Sequence, residues 1–456
     1  VIRNLRIAAL GSWIILLLVV AFAGGRQMRR GEPPRTSELE RVALMPESAL
    51  RRVFEMSAAE GGAEPADTFR EVLQRVRTDY VEPITDENKL AAGAVRTMLA
   101  SLDDPKTRYL DPKQHQALQR QIAGRFVGIG ATLQVVKQKR GKIEQRRLVV
   151  VAPAPGGPAD RAGIRAGDAI TEIDGRWVIA YDPRLEIDLD SYRNLKEKEK
   201  KQIRQEKLAK LTDGITIAKA LDQVSGAGSR TLKLTLERPG SAAPIKVDVQ
   251  TGETDVDPVD LQPVNPSTVY LRVTQFNSRA VEELKALAPR LKSQAVILDL
   301  RDNSGGPATA EPVNSLKAAL SLLGALGVSG NAGSIRRPND QAMKLEVAPS
   351  GSHAARVAVL VNAGTSNLAE LVAGALRESK KAQLVGTKTS GDGTFQKLHN
   401  LRGGAGMTVN AGRLLTAGGL DFNGKGLVPD VAVSTGGPRF ERDPAVTRAV
   451  SLLGKA

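Results

Sequence analysis

Two stretches of the chain hold the residue types from which an acyl-transfer site could be built. They are Val361-Asn-Ala-Gly-Thr-Ser-Asn-Leu-Ala-Glu370 and Val385-Gly-Thr-Lys-Thr-Ser-Gly-Asp-Gly-Thr-Phe-Gln396. Acyl transfer needs a hydroxyl that attacks a carbonyl, an amine or imidazole able to take its proton, and backbone N–H groups aimed at the oxygen that becomes an anion. Ser366 and Lys388 are a hydroxyl and an amine; Asn367, with Glu370 three residues on, reads as a helix N-cap and its capping partner. Asp392 stands between Gly391 and Gly393, but an aspartic-protease site would need a second, matched carboxylate, and no Asp motif offers one. The chain has no cysteine, which excludes a thiol nucleophile, thiolate metal ligands and disulfides. Its three histidines, His115, His353 and His399, are scattered, each read as a lone surface residue, so neither a Ser-His-Asp triad nor a multi-histidine metal site has support. No cofactor or metal is expected.

The elements that must position these residues are legible from periodicity. Short apolar strands are expected at 270–273, 295–300 and 357–361, with helices at 279–291 and 368–378, an alternation that predicts a covered α/β sheet. Upstream, Phe126-Val-Gly-Ile-Gly-Ala-Thr-Leu-Gln-Val135 reads as a glycine turn running into a strand. Apolar residues at three- and four-residue steps predict helices over 69–80 and 90–99. Residues 193–210 hold eight Lys or Arg against three Glu, without Pro or Gly. A solvated helix is the plain reading there, and a docking arm for an acidic protein or lipid headgroups is the functional one.

At 456 residues with 41% hydrophobic and 25% charged content, the chain is long enough for two or three domains with real cores. A net charge of +15 and a pI near 9.9 suit an anionic partner. Only 3% of residues are aromatic, which leaves few rings for base stacking, so no nucleic acid is expected and a membrane surface fits better. Ile7 to Gly25 carries no charge, and as a helix at ~1.5 Å per residue it would be about 28 Å long, enough to span a bilayer core. The small residues of Ala21-Phe22-Ala23 also suit a cleaved signal peptide; an uncleaved single-pass anchor is preferred, with the body on the extracytoplasmic side.

Five motifs, in order, carry a resemblance. They are Ser101-Leu-Asp-Asp-Pro-Lys-Thr-Arg-Tyr-Leu-Asp-Pro112, the run from Val149 through Pro-Ala-Asp-Arg-Ala-Gly-Ile-Arg-Ala-Gly-Asp168 to Gly175, Ile297-Leu-Asp-Leu-Arg-Asp-Asn-Ser-Gly-Gly306, the 361–396 pair, and Asn423-Gly-Lys-Gly-Leu-Val-Pro-Asp430. Over residues 65–435 the chain resembles the carboxyl-terminal processing (tail-specific) serine peptidases, which carry a permuted PDZ domain. The first motif matches that family's S-L-D-P-H-S-x-Y-L-D-P and the 361–396 pair its V-N-x-G-S-A-S-A-S-E and V-G-x-K-T-x-G-K-G-x-x-Q. The resemblance places Asn367 where the family has its nucleophilic serine and Asp392 where it has its general-base lysine. Gln396 falls on the family's lysine-orienting glutamine, and Gly305, Gly306 and the amide of Leu368 on its oxyanion-hole region. Lys388 aligns with a lysine commonly carried beside the catalytic one, and a one-residue shift at a helix start would turn Ser366 away, so a displaced Ser366–Lys388 pair is the lesser alternative. Asn367 and Asp392 are expected to pair directly. Gly128, Ile129, Gly130 and Ala131 would form the PDZ loop that holds a peptide C-terminal carboxylate.

The expectation is therefore a catalytically degenerate member that binds protein or peptide C-termini as a scaffold or regulatory subunit, in the cytoplasmic (inner) membrane of a bacterium with its body in the periplasm. The alternative is an active serine endopeptidase with an unconventional Ser/Lys pair. The expected boundaries are a membrane anchor at 1–30, a linker at 31–63, a helical region at 64–118, a PDZ-like domain at 119–250 with an insertion at 179–229, a peptidase-like α/β core at 251–440, and a tail at 441–456.

Overall fold

A computed structural model describes residues 65–454 apart from 83, 85, 142, 187–191, 193–194, 227, 307–312, 350–353, 380–381 and 435–442. The anchor and linker expected at 1–63 lie outside the described residues, among which no helix is long and apolar enough to cross a membrane. In the unit 1–85 the described residues form one helix, α1 (Pro65–Asp79), with no buried residue. Everything else belongs to the unit 86–456.

That unit opens with α2 (Glu87–Ala100), capped by the Asp86 carboxylate accepting from Lys89 N–H, then β1 (Arg108–Leu110), α3 (Pro112–Ile122) and β2 (Arg125–Gly128). The helical region expected at 64–118 thus also contributes a strand. His115, expected at the surface, is buried on α3, with Nδ1 2.9 Å from the Gly404 carbonyl. Gly406 makes the room, since a Cβ there would lie 2.6 Å from the His115 ring.

The PDZ-like part comprises β3 (Ala131–Arg140), β4 (Ile143–Pro153), α4 (Pro158–Arg161), β5 (Ala169–Ile173), β6 (Arg176–Trp177), α5 (Glu197–Asp213), α6 (Ile217–Val224), β7 (Thr231–Glu237) and β8 (Ile245–Gln250). Its sheet runs β3-β4-β5-β7-β8, with β3 at one edge. Ile129, Leu148, Ile164, Ile173, Ala220, Leu232 and Val249 share one buried core. The expected insertion is too long at its C-terminal end. Ile215 and α6 pack in this core, and Ile215 bridges to Val178, so the inserted segment closes at residue 214. Within it α5 buries no residue; its contacts with the domain include the Lys210 ammonium, 4.6 Å from the Trp177 ring centre, and the Asp213 carbonyl, which accepts from Arg176 Nε at 2.9 Å. Replacing 187–212 by a flexible linker is expected to shift stability by no more than about 1 kcal/mol, because none of the described residues in it belongs to the core; a larger drop in the denaturation midpoint would show that the helix supports the fold.

After β9 (Gly252–Asp255), which pairs with β2, the core follows as β10 (Val259–Asn265), β11 (Thr268–Val273), α7 (Ser278–Leu291), β12 (Ala295–Asp299), α8 (Val313–Ala325), β13 (Gly330–Arg336), β14 (Ala342–Val347), β15 (Arg356–Val361), α9 (Leu368–Glu378), β16 (Ala382–Gly386), β17 (Thr394–Asn400), β18 (Gly406–Thr416), β19 (Val431–Ala432) and α10 (Pro444–Gly454). One sheet has the order β10-β11-β12-β15-β16-β19 and is parallel from β11 onward. Pleating sends Val357, Val359 and Val361 to the face covered by α7, α8 and α9, and Ala358 and Leu360 to the opposite face. There they meet Ala445, Val446 and Ala449 of α10. The expected tail is accordingly part of the core: its apolar residues recur at helical spacing and cover the back of the sheet. Arg301 locks it, donating to Asp299 at 2.9 Å and to the buried carboxylate of Asp443. A second sheet, β1-β18-β13-β14 with β17 also on β18, completes the unit.

Candidate active site

The loops that follow three neighbouring parallel strands, β12, β15 and β16, carry Gly305 and Gly306, Asn367, and Asp392 respectively. Crevices at the carboxyl ends of such strands are where α/β sheets place ligands. Buried Asn303 organises the first loop: its side chain donates to Val273 O and accepts from Gly305 N–H, both at 2.8 Å, and its carbonyl accepts from Ser366 N–H at 2.9 Å. Gly305 is required because a Cβ there would lie 2.5 Å from Leu368 N and 2.7 Å from Asn367 Cβ.

Asn367 forms a sharp strand-to-helix elbow at φ 54°, ψ −119°, ahead of α9. Non-glycine residues rarely hold that conformation, and it persists only where the surroundings enforce it. Its N–H donates to the Glu370 carboxylate at 3.1 Å, the relation expected of the capping partner. Its side-chain amide nitrogen donates to the backbone carbonyls of Thr394 at 2.6 Å and Asp392 at 3.3 Å.

The expected direct pairing of the Asn367 and Asp392 side chains is therefore corrected: Asn367 reaches only the main chain of Asp392. The Asp392 carboxylate instead forms an ion pair with Lys106 and accepts from the Thr394 hydroxyl at 2.6 Å and the Thr394 N–H at 3.0 Å. Burial by itself drives this carboxyl upward, but Lys106 and Thr394 together hold it below the usual carboxylate range. Lys106 also donates to the Thr394 hydroxyl at 3.1 Å. Asp104 positions it by accepting from the Lys106 N–H at 3.1 Å and from Thr107 Oγ1 at 2.8 Å. Sequence reasoning missed Lys106. The signal was present, since it stands at the histidine of the S-L-D-P-H-S pattern, where an ammonium can answer the Asp392 carboxylate.

Glu370 is wholly buried and knits the site together, accepting from Thr389 Oγ1, from Gly391 N–H at 2.7 Å and from Asp392 N–H at 2.8 Å. Burial pushes its carboxyl up to about 7; these donors oppose the rise and the Asp392 charge adds to it. The folded protein then keeps a proton that the unfolded chain releases near pH 4.5. Stability is expected to fall as pH rises between those values, by about 3 kcal/mol in all. Asp392, with a depressed pKa, works the other way: its contribution is present above about pH 4 and lost on further acidification. Denaturant titrations from pH 4 to 8 check this; a slope over pH 5–7 unchanged by Glu370→Gln would exclude Glu370 as its source.

The other expected residues divide. Gln396 lies on β17 and lines the cleft with Gly306, Asn367 and Leu368. Ser366 is buried while Lys388 is exposed, and no hydrogen bond or ion pair joins them. In the loop Gly128 to Ala131, the Ile129 N–H is spent on Val224 O at 2.8 Å and Gly128 packs too closely against α6 for any side chain. Leu133 and Val135 of β3 and Leu221 of α6 face the same cleft as Asn367, so PDZ groove and core crevice are continuous. Among the described residues no cluster of carboxylates and histidines has the makings of a metal site.

Residues 267–433 match peptidase family S41, and residues 149–184 match a PDZ domain. The carboxyl-terminal-processing protease of Picosynechococcus sp. is 31% identical over 346 residues, covering 75% of this chain and 72% of that one. The carboxy-terminal-processing protease of Bartonella bacilliformis is 28% identical over 394 residues, covering 84% and 79%. Among solved structures, the photosystem II D1 C-terminal processing protease superposes with a TM-score of 0.60 at 26% identity, over 84% of this chain and 90% of its own.

Proposed function

The chain belongs to the carboxyl-terminal-processing proteases of peptidase family S41, with a PDZ domain, and from that premise we propose that it is a non-cleaving member which binds polypeptide C-termini as a scaffold or regulatory subunit. The observation that carries the proposal is the state of the elbow. An amide stands at its apex and is tied to two main-chain carbonyls, and a carboxylate, already engaged by Lys106, stands where a proton-accepting amine is required. Neither an amide nor a carboxylate held below its usual range can generate a nucleophile from a hydroxyl at neutral pH. The uncharged run 7–25 would serve as the tether to a bacterial inner membrane, with the body in the periplasm, and the basic face of α5 as a contact for an acidic protein or lipid.

A second reading has one observation in its favour: Lys106 lies 3.1 Å from the Thr394 hydroxyl, so a displaced Thr–Lys pair is conceivable in geometry. It is disfavoured because that hydroxyl already donates to Asp392 and Lys106 enters as the cation of an ion pair. The purified protein, offered unfolded substrates with apolar C-termini, is expected to bind without hydrolysis, by fluorescence anisotropy and gel assay. Turnover that Thr394→Val or Ser366→Ala abolishes would establish an active peptidase instead.

A further inference from the structure

One polar atom in the cleft lacks what buried polar atoms nearly always have. Ser315, on α8, is 4% exposed and lines the cavity, yet among the described residues its Oγ has no hydrogen-bond partner. A buried hydroxyl without a partner is costly, and its persistence calls for an explanation such as an absent ligand. Ser315 lies against Gly306, where a Cβ would approach its Oγ to 3.0 Å. Among the described residues the N–H groups of Gly306 and Leu368 also donate to nothing. Leu368 is the first residue of an eleven-residue helix, whose N-terminus favours negative charge. These donors face one cavity.

The charge balance suits an anion. Lys106 neutralises Asp392, and Arg108, which also lines the cavity, forms no ion pair among the described residues. The Asp222 carboxylate acts on Arg108 through charge alone, without a contact. Leu133, Val135 and Leu221 provide an apolar wall for a neighbouring side chain. The PDZ loop is less ready for the same task, with its Ile129 N–H already given to Val224.

We propose that Ser315, Gly306 and the start of α9 form a receptor for a free C-terminal carboxylate, so that this chain holds a finished chain end where a peptidase would hold a scissile carbonyl. The inference rests on the peptide-binding reading and names the group bound and the atoms that bind it. A charged acceptor meeting one hydroxyl and two N–H donors is held by charge-assisted hydrogen bonds, stronger than those a neutral amide would make.

The test uses the whole protein and a fluorescein-labelled peptide ending in apolar residues, prepared as free acid and as C-terminal amide. The free acid is expected to bind at least about tenfold more tightly than the amide. Ser315→Ala is expected to remove most of that preference while leaving the melting temperature equal or higher, because the hydroxyl it deletes has no partner to lose. Arg108→Gln, at the cavity wall, is expected to reduce the preference in part and to make it less sensitive to salt. Equal affinities for acid and amide would overturn the inference and leave the binding reading standing. A free-acid preference that survives Ser315→Ala would move the carboxylate to the PDZ loop and overturn it likewise. Absence of binding by either peptide would overturn both readings.

Discussion

Hydrolysis is expected to appear when three residues are changed together, Asn367→Ser, Asp392→Lys and Lys106→His, and not with the first two alone. The elbow at Asn367 already holds the backbone that a nucleophile needs, and Gly306 and Leu368 already present unengaged N–H groups. A serine there and a lysine at 392 restore the hydroxyl and the amine. With Lys106 in place, however, the new lysine meets a second ammonium in the position that Asp392 now satisfies, and two like charges in a mostly buried cleft cannot both be accommodated. Replacing Lys106 with the family's histidine removes that conflict. The gain over the unmodified protein should be at least about a thousandfold in single-turnover rate, a modest share of what a complete nucleophile and base supply in serine peptidases. Activity in the double variant as high as in the triple one would show that Lys106 does not control the site. Activity already present in the unmodified chain would end the non-cleaving reading.

The second large effect concerns stability. Lys106→Met is expected to cost about 3–5 kcal/mol at neutral pH, because it leaves the Asp392 carboxylate buried without its counter-charge. Both side chains are only 12% exposed, so solvent screens the pair weakly. Changing Asp392→Asn in the same protein should recover much of the loss, and a double-mutant cycle would read the coupling directly. The sign with pH follows from the depressed carboxyl. In the single variant burial is no longer opposed by Lys106 and raises the Asp392 carboxyl, so the deficit should begin to shrink above the ordinary carboxylate range, as acidification lets Asp392 take a proton in place of the lost lysine. A loss under about 1 kcal/mol would mean that the pair behaves like a surface ion pair.

Much of the fold could be read from the chain because its strands are unambiguous. Segments 295–300 and 357–361 are nearly continuous apolar runs, as strands covered on both faces must be, and they were found where expected. Short elements with mixed faces were harder. Ile215 to Leu221 reads as a helix in the sequence, and Ile217–Val224 is one, but the expected boundary at 229 encloses it in the insertion; Pro444–Gly454 reads as a tail because its partner surface is the back of a distant sheet. In the site, Gly305 lies against Asn367 and Leu368, residues that the resemblance places in one region. The fate of Asp392 was not legible. Its counter-charge comes from a turn far away in sequence, and nothing local distinguishes a carboxylate that pairs with a neighbouring amide from one answered by Lys106. Nor does any pattern reveal an unpartnered hydroxyl such as that of Ser315, which becomes visible only when every donor and acceptor around it is accounted for.

The kinked backbone at Asn367 has a practical corollary on the non-cleaving reading. Gly305 presses so closely beneath the bend that its shape is kept by packing, whatever group the apex carries. Reagents that trap serine hydrolases covalently, such as fluorophosphonates, should therefore pass this protein by. Reversible compounds moulded to the groove of its cutting relatives should still lodge in it. A census of proteases by covalent tagging would overlook a molecule that competes for the same inhibitors.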